Sequence, residues 1–313
     1  MAITVLRYNN NGTSAGAPAL SGSAGSLITV LDFCLVTTLG WTKTAGTNNG
    51  IYRAPTGNRR YLAVWDGTTT YATMRGFENA TVNTNMSTTV PTYSTTRTLA
   101  FPTSAQHAAA LPIAKSDVAD TSERPWTFVS NGTSFYFCCA PLAAGAATDW
   151  VMMFFGDYES YKAGDVWNTA ITSHNDVGDT TNNSPVALVN TIDNLSLGLF
   201  SARSYTQIGG SVAMGRSSDP VRSKASPFMG YTGGVYPSPI EGGLLLGGVF
   251  VHELAGIRGR MPGLWNPLHP AAMGHGDTFS GSGELAGRTF EVFSGVANQV
   301  RFVLETSDTW GTF

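Results

Sequence analysis

Charged side chains are scarce in this sequence. Asp, Glu, Lys and Arg make up 12% of its 313 residues, about half of the roughly 25% usual in soluble domains. The formal net charge is −3 and no basic stripe or tail stands out, which argues against nucleic-acid binding by phosphate neutralisation. Cysteine is rarer still, with only Cys34, Cys138 and Cys139. An odd count without repeated spacing is not a disulfide framework. Cys138 and Cys139 are adjacent, so in a strand they point to opposite faces, which suits neither a mutual bond nor a C-x-x-C metal knuckle. All three thiols lie in apolar runs, LDFCLV and FYFCCA, where cysteine acts as a small hydrophobe. No apolar run reaches the ~20 residues of a membrane span. The opening, MAITVLRYNNNG, lacks the charged-then-apolar pattern of a secretory signal. The expectation is a chain made in a cytoplasm, with no membrane partner.

What replaces charge is Thr, Ser, Asn and Gly, all poor helix formers. Hydrophobic residues supply 42% of the chain, enough for a sizeable core. Short apolar runs separated by turn signals predict a mainly β fold: antiparallel sandwich- or barrel-like sheets with long loops and little helix. Strand candidates include Ile3–Tyr8, Trp150–Phe155, Ser196–Tyr205, Ser211–Met214 and Leu244–Val251. Asp66-Gly67 and Asn131-Gly132 each sit between strand-like runs, a strong hairpin signal. A further hairpin is expected around Gly295–Asn298. The run Leu27–Leu39 is the best helix alternative, although its Thr and Val content leaves the type open. Three regions are expected: an N-terminal strand and flexible arm over 1–30, a first β subdomain over 31–180 and a second over 186–313. The polar window Asn175–Pro185 marks the boundary, and both halves packing as one body is the alternative.

Catalytic patterns are thin. His252-Glu253 invites comparison with H-E-x-x-H, but position 256 is Gly, so the second zinc ligand is absent. His252, His269 and His275 converging on a metal is far less expected than polar loop histidines. Asp157, Glu159 and Asp165 form an acidic cluster in FGDYESYKAGD, read as a solvated turn because neither a calcium loop nor an opposed acid is assignable. No nucleophile elbow or phosphate loop occurs. No catalytic residue, cofactor or metal site is expected.

The densest mixture of glycine, proline and large apolar residues lies at Ser226–Pro270. Within it, GIRGRMPGLWNPLH places two guanidinium donors around a glycine and follows them with apolar bulk. One reading is a loop docking onto another subunit, with Arg258 and Arg260 fixing the register and Met261, Leu264 and Trp265 at an exposed apolar tip. The other is a loop closing over the protein's own core. The residues leave both open.

RGRMPGLWNPLH, together with GWTKTAGTNNGIYRAPTGNRRYLAVWDGTTTYATMRGFE and FFGDYESYKAGD, resembles uncharacterised virion structural proteins of tailed bacteriophages. There the first pattern reads roughly RG-x-LPGL-x-x-PLH, with Met261 standing here in place of Leu. The resemblance runs from about Trp41 to Trp310, and its motifs carry no known activity. It implies a non-enzymatic virion component, tail- or baseplate-associated, that assembles with copies of itself and other virion proteins. A head-decorating or neck protein is the nearest alternative, and a module binding host-surface glycan is the alternative of another class.

Overall fold

In the computed structural model the chain is described over residues 2–44, 46–68, 70–78, 100–101, 110–141, 150–173, 199–207, 209–214, 244–253, 255–267, 273–294, 301–307 and 309–310, with backbone alone at 209–214, 252, 266, 294 and 301. In chain order the strands are β1 (Thr4–Tyr8), β2 (Thr42–Thr44), β3 (Asn49–Arg53), β4 (Tyr61–Trp65), β5 (Tyr71–Phe77), β6 (Ala100–Phe101), β7 (Leu111–Ala114), β8 (Trp126–Ser130), β9 (Phe135–Cys139) and β10 (Val151–Asp157). They continue with β11 (Glu159–Ser160), β12 (Thr169–Ser173), β13 (Leu199–Arg203), β14 (Gly209–Met214), β15 (Leu246–Glu253), β16 (Gly256–Pro267), β17 (Thr278–Ser280), β18 (Thr289–Ser294) and β19 (Arg301–Glu305). The fold is mainly β, as the composition requires.

Three antiparallel sheets form. The first runs β1-β8-β9-β10-β12-β13-β14, the second β11-β16-β19-β18-β17 with β15 added to β16, and the third β2-β3-β4-β5-β6 with β7 added to β5. The first sheet is the middle layer. Every residue of β8, β9 and β12 is buried, so both faces are covered. On one face Phe135 and Phe155 pack edge-on against Trp41, and the Cys139 thiol points at the Ala114 carbonyl of the third sheet. On the other face the Tyr136 hydroxyl donates to the Pro262 carbonyl of the second sheet at 2.8 Å. Period-2 alternation thus sends aromatic side chains into both neighbouring layers. Among the described residues the sheets stack as layers and do not close into a barrel.

The Asn131-Gly132 hairpin forms as its sequence dictates: the Asn131 side-chain oxygen accepts from the backbone N–H groups of Thr133 and Ser134 at 3.1 and 2.9 Å and pins the turn between β8 and β9. The undecided run at 27–39 is helical. A short α-helix, α1 (Ser26–Leu31), passes directly into a π-helical stretch, Asp32–Thr38. The expected flexible arm lies folded back on the chain, since β1 pairs with β8 and the Trp126 indole donates to the Pro18 carbonyl at 3.0 Å. Arg7 pairs with Glu291 at 2.6 Å, and Asn11 donates to the same carboxylate at 3.1 Å. The expected boundary window Asn175–Pro185 lies outside the described residues, as does the expected tip Gly295–Asn298. The middle sheet runs across that window, because β12 pairs with β13.

Candidate functional site

The two most distinctive sequence elements meet. β11, from the FGDYESYKAGD segment, pairs with β16, from the GIRGRMPGLWNP segment, placing Glu159 opposite Arg260 and Ser160 opposite Gly259. The Arg260 guanidinium contacts the Glu159 carboxylate directly. One register step away, Arg258 makes a two-pronged pair with Asp165, Nε to Oδ2 at 2.9 Å and Nη2 to Oδ1 at 3.0 Å. Its Nη1 donates to Glu253 Oε1 and to the Arg203 carbonyl, each at 2.6 Å. The side chains of Arg258, Asp165 and Glu253 are 1%, 1% and 5% exposed. Two carboxylates around one planar guanidinium satisfy the fork geometry that only arginine offers. Burial pushes the Asp165 carboxyl up, but the bonds from Arg258, Ser160 and the Trp167 N–H outweigh it and hold it below the ordinary value. Burial likewise works against the Arg258 charge, and Asp165 with its neighbours more than compensates.

Glycine at 259 is a requirement of this seam, since a Cβ there would collide with the Glu159 carbonyl oxygen. The expected solvated acidic turn holds in part: residues 161, 163 and 164 are exposed, whereas the Asp165 side chain is buried and that of Glu159 is 26% exposed. Asp157, the third acid, accepts from the Asn58 N–H at 2.8 Å and from the Thr169 hydroxyl, and burial raises its carboxyl pKa.

Of the two readings left open for Met261–Trp265, burial within the chain agrees with the loop that closes over the protein's own core. Met261, Leu264 and Trp265 are 6%, 3% and 5% exposed. β16 bulges: Phe250 of β15 faces Arg260, and Gly248 faces Trp265. The intervening residues turn inward. Gly263 adopts φ 65° against the Trp310 ring, where a Cβ would clash, and Leu264 pairs with Leu304 of β19. Pro and Gly in mid-strand produce a bulge that aims Met261 and Leu264 at the middle layer, while Trp265 packs in a separate cluster with Met273 and Phe290. Arg258 and Arg260 are likewise buried, spent on partners within the chain.

What the seam leaves at the surface is two aromatic residues and one aliphatic residue. Tyr161, Tyr205 and Ile257 are 59%, 44% and 52% exposed and line one recess of roughly 300 Å3 with Lys162, Glu253 and Arg258. Each wall is tied to the buried cluster. The Tyr161 N–H donates to the Arg258 carbonyl at 2.7 Å, the Tyr205 N–H to Glu253 Oε2 at 3.0 Å, and the Lys162 ammonium to the Tyr205 carbonyl. Nearby, Trp167 is sandwiched between the Arg60 and Arg203 guanidinium groups, 4.1 and 3.8 Å from its ring centre. Sequence reading missed this rim because its residues come from three separate turns.

The remaining candidates are structural. Cys34, Cys138 and Cys139 are buried and free, and burial raises each thiol pKa. His275 stacks on Trp150 at 4.0 Å with Phe293 edge-on, and burial pushes its pKa down to about 4. His269 and the His252 side chain lie outside what is described. Among the described residues no three His, Cys, Asp or Glu side chains group to hold a metal. Sequence reading also missed a fully buried ion pair, Lys115–Asp66 at 2.6 Å, in which Asp66 accepts from the Leu27 N–H at 2.8 Å and so caps α1. Its only signal was a lone lysine closing the apolar run LPIAK. No protein-family model matches the chain, and no curated protein matches it.

Proposed function

We propose that the chain is a non-enzymatic structural component of a tailed-phage virion, associated with the tail or baseplate and assembled from several copies together with other virion proteins. The observation that carries this reading is the seam. The two segments most characteristic of the resemblance, FGDYESYKAGD and RGRMPGLWNP, are the two halves of one rigid junction. The two arginines are taken up by acids at the junction: Arg258 by Asp165 and the nearby Glu253, Arg260 by Glu159. Arginines that are satisfied within the chain serve shape rather than bond making. The low surface charge and the absence of an assignable acid–base pair in the sequence support the same reading. Such a part would be assembled in the host bacterial cytoplasm and reside in the virion.

Cryo-electron microscopy of the particle that carries this chain tests the proposal. The expected result is symmetric copies on the tail or baseplate, with the β11–β16 seam inside each protomer. Copies on the head surface or collar would leave the structural role and overturn its location. Absence of the chain from purified particles would overturn both.

A further inference from the structure

We propose that the recess walled by Tyr161, Tyr205 and Ile257 is a binding site for a neutral saccharide. The proposal stands on the recess itself and does not depend on where in a virion the protein sits. Three of the large hydrophobic residues that the described chain leaves exposed converge on this one place, from the turn after β11, the turn after β13 and the β15–β16 hairpin. Scattered exposed hydrophobes are ordinary, and a cluster around a concavity is a binding feature. The rim is pre-organised, because the backbones of both tyrosines are hydrogen-bonded to the buried Arg258–Glu253 cluster, so little ordering is left to oppose binding.

The lining selects the class of ligand. Tyrosine rings offer flat apolar faces with a polar rim, matching a pyranose, which has an apolar C–H face and equatorial hydroxyls. The floor supplies both hydrogen-bonding senses. Among the described residues Lys162 commits one of its three N–H donors, to the Tyr205 carbonyl, and each Glu253 oxygen accepts one hydrogen bond and has a second lone pair. The lining holds two cations, Lys162 and Arg258, and one carboxylate, Glu253, while Asp165, buried behind the wall, pairs with Arg258, so the four charges together sum to zero and favour no ionic ligand. At roughly 300 Å3 it lies at the lower bound of small-molecule sites, about 300–1,000 Å3. That holds one or two sugar rings and excludes a helix about 10 Å across.

The test uses the full chain on an array of defined neutral hexose and N-acetylhexosamine oligosaccharides, followed by calorimetric titration of the strongest binder. Tyr161→Ala and Tyr205→Ala are each expected to weaken binding at least tenfold with unchanged thermal unfolding, and Lys162→Met several-fold. No signal across the array overturns the proposal, as does binding that survives both tyrosine substitutions within twofold. A particle reconstruction with a neighbouring subunit filling the recess overturns it too, while leaving the structural role intact.

Discussion

The middle sheet and the β11–β16 seam both tie distant parts of the chain together, yet they are held by opposite means. In the sheet, β8, β9 and β10 present Phe128, Phe135, Phe137, Phe154 and Phe155, and nearly every contact is apolar or aromatic. In the seam three carboxylates and two guanidinium groups lie side by side. The sheet gains from removing apolar area from water, about 25 cal/mol per Å2, and tolerates volume-conserving exchange. The seam gains little net energy from its charges, because desolvation offsets the attraction, but deleting Arg258 leaves buried charges uncompensated. The seam thus fixes how two distant segments register, and the sheet supplies the bulk of the driving force.

That contrast can be broken at its strongest point first. Arg258→Ala strands Asp165 and Glu253 and should cost about 3–5 kcal/mol, read as a lowered denaturation midpoint. Phe137→Ala should cost a similar amount by cavity formation, about 3–5 kcal/mol. The two should differ in cause, so Asp165→Asn added to Arg258→Ala should recover part of the loss, and no second change in the seam should rescue Phe137→Ala. Simple additivity of Arg258→Ala and Asp165→Asn would mean the seam is not one coupled unit.

Acid sharpens the comparison next. His275 is kept neutral against Trp150, its pKa pushed down to about 4, whereas an unfolded imidazole takes up a proton near 6.5. Below pH 6.5 the unfolded state binds the extra proton first, so stability falls as pH drops from about 6.5 to 4, by about 3 kcal/mol in all. His275→Phe should flatten this segment of a stability–pH curve. Asp165, held below its ordinary value, contributes stability that is lost only at lower pH, as its carboxylate protonates. A single transition shared by both groups would contradict this separation.

Gly259→Ala forces the seam strands apart and should cost about 1–3 kcal/mol, measurable by chemical denaturation. The smallest expected effect is at the rim. Tyr161→Ala should change stability by less than about 0.5 kcal/mol, since 59% of Tyr161 is solvent-exposed. A larger loss would mean that the tyrosine supports the fold rather than facing a ligand.

The two regions also differ in how far the sequence reveals them. Local patterns announce the sheet: alternating aromatic residues in WTFVSNGTSFYFCC, with an Asn-Gly tip, allow one hairpin. The apolar run at 244–251 likewise appears as β15, shifted by two residues to Leu246–Glu253. The seam depends on pairs 93 and 101 residues apart, Arg258–Asp165 and Arg260–Glu159, and nothing local marks an arginine as destined for a particular acid. For the same reason RMPGLW reads equally as an exposed tip or a core-closing element, and the bulge at Gly263 decides for the core. The helix at 26–31 was ambiguous because its cap, Asp66, comes from a hairpin 39 residues downstream of Leu27.

The spacing of the seam in the chain has a consequence in time. A ribosome adds about 5–20 residues per second, so Asp165 emerges roughly 5–20 s before Arg258. During that interval the β8–β9–β10 meander can form while the acids remain hydrated and unpaired. β16 then arrives as a closing latch whose arginines meet carboxylates already in place, and the walls of the Tyr161–Tyr205 recess take shape only at that final step.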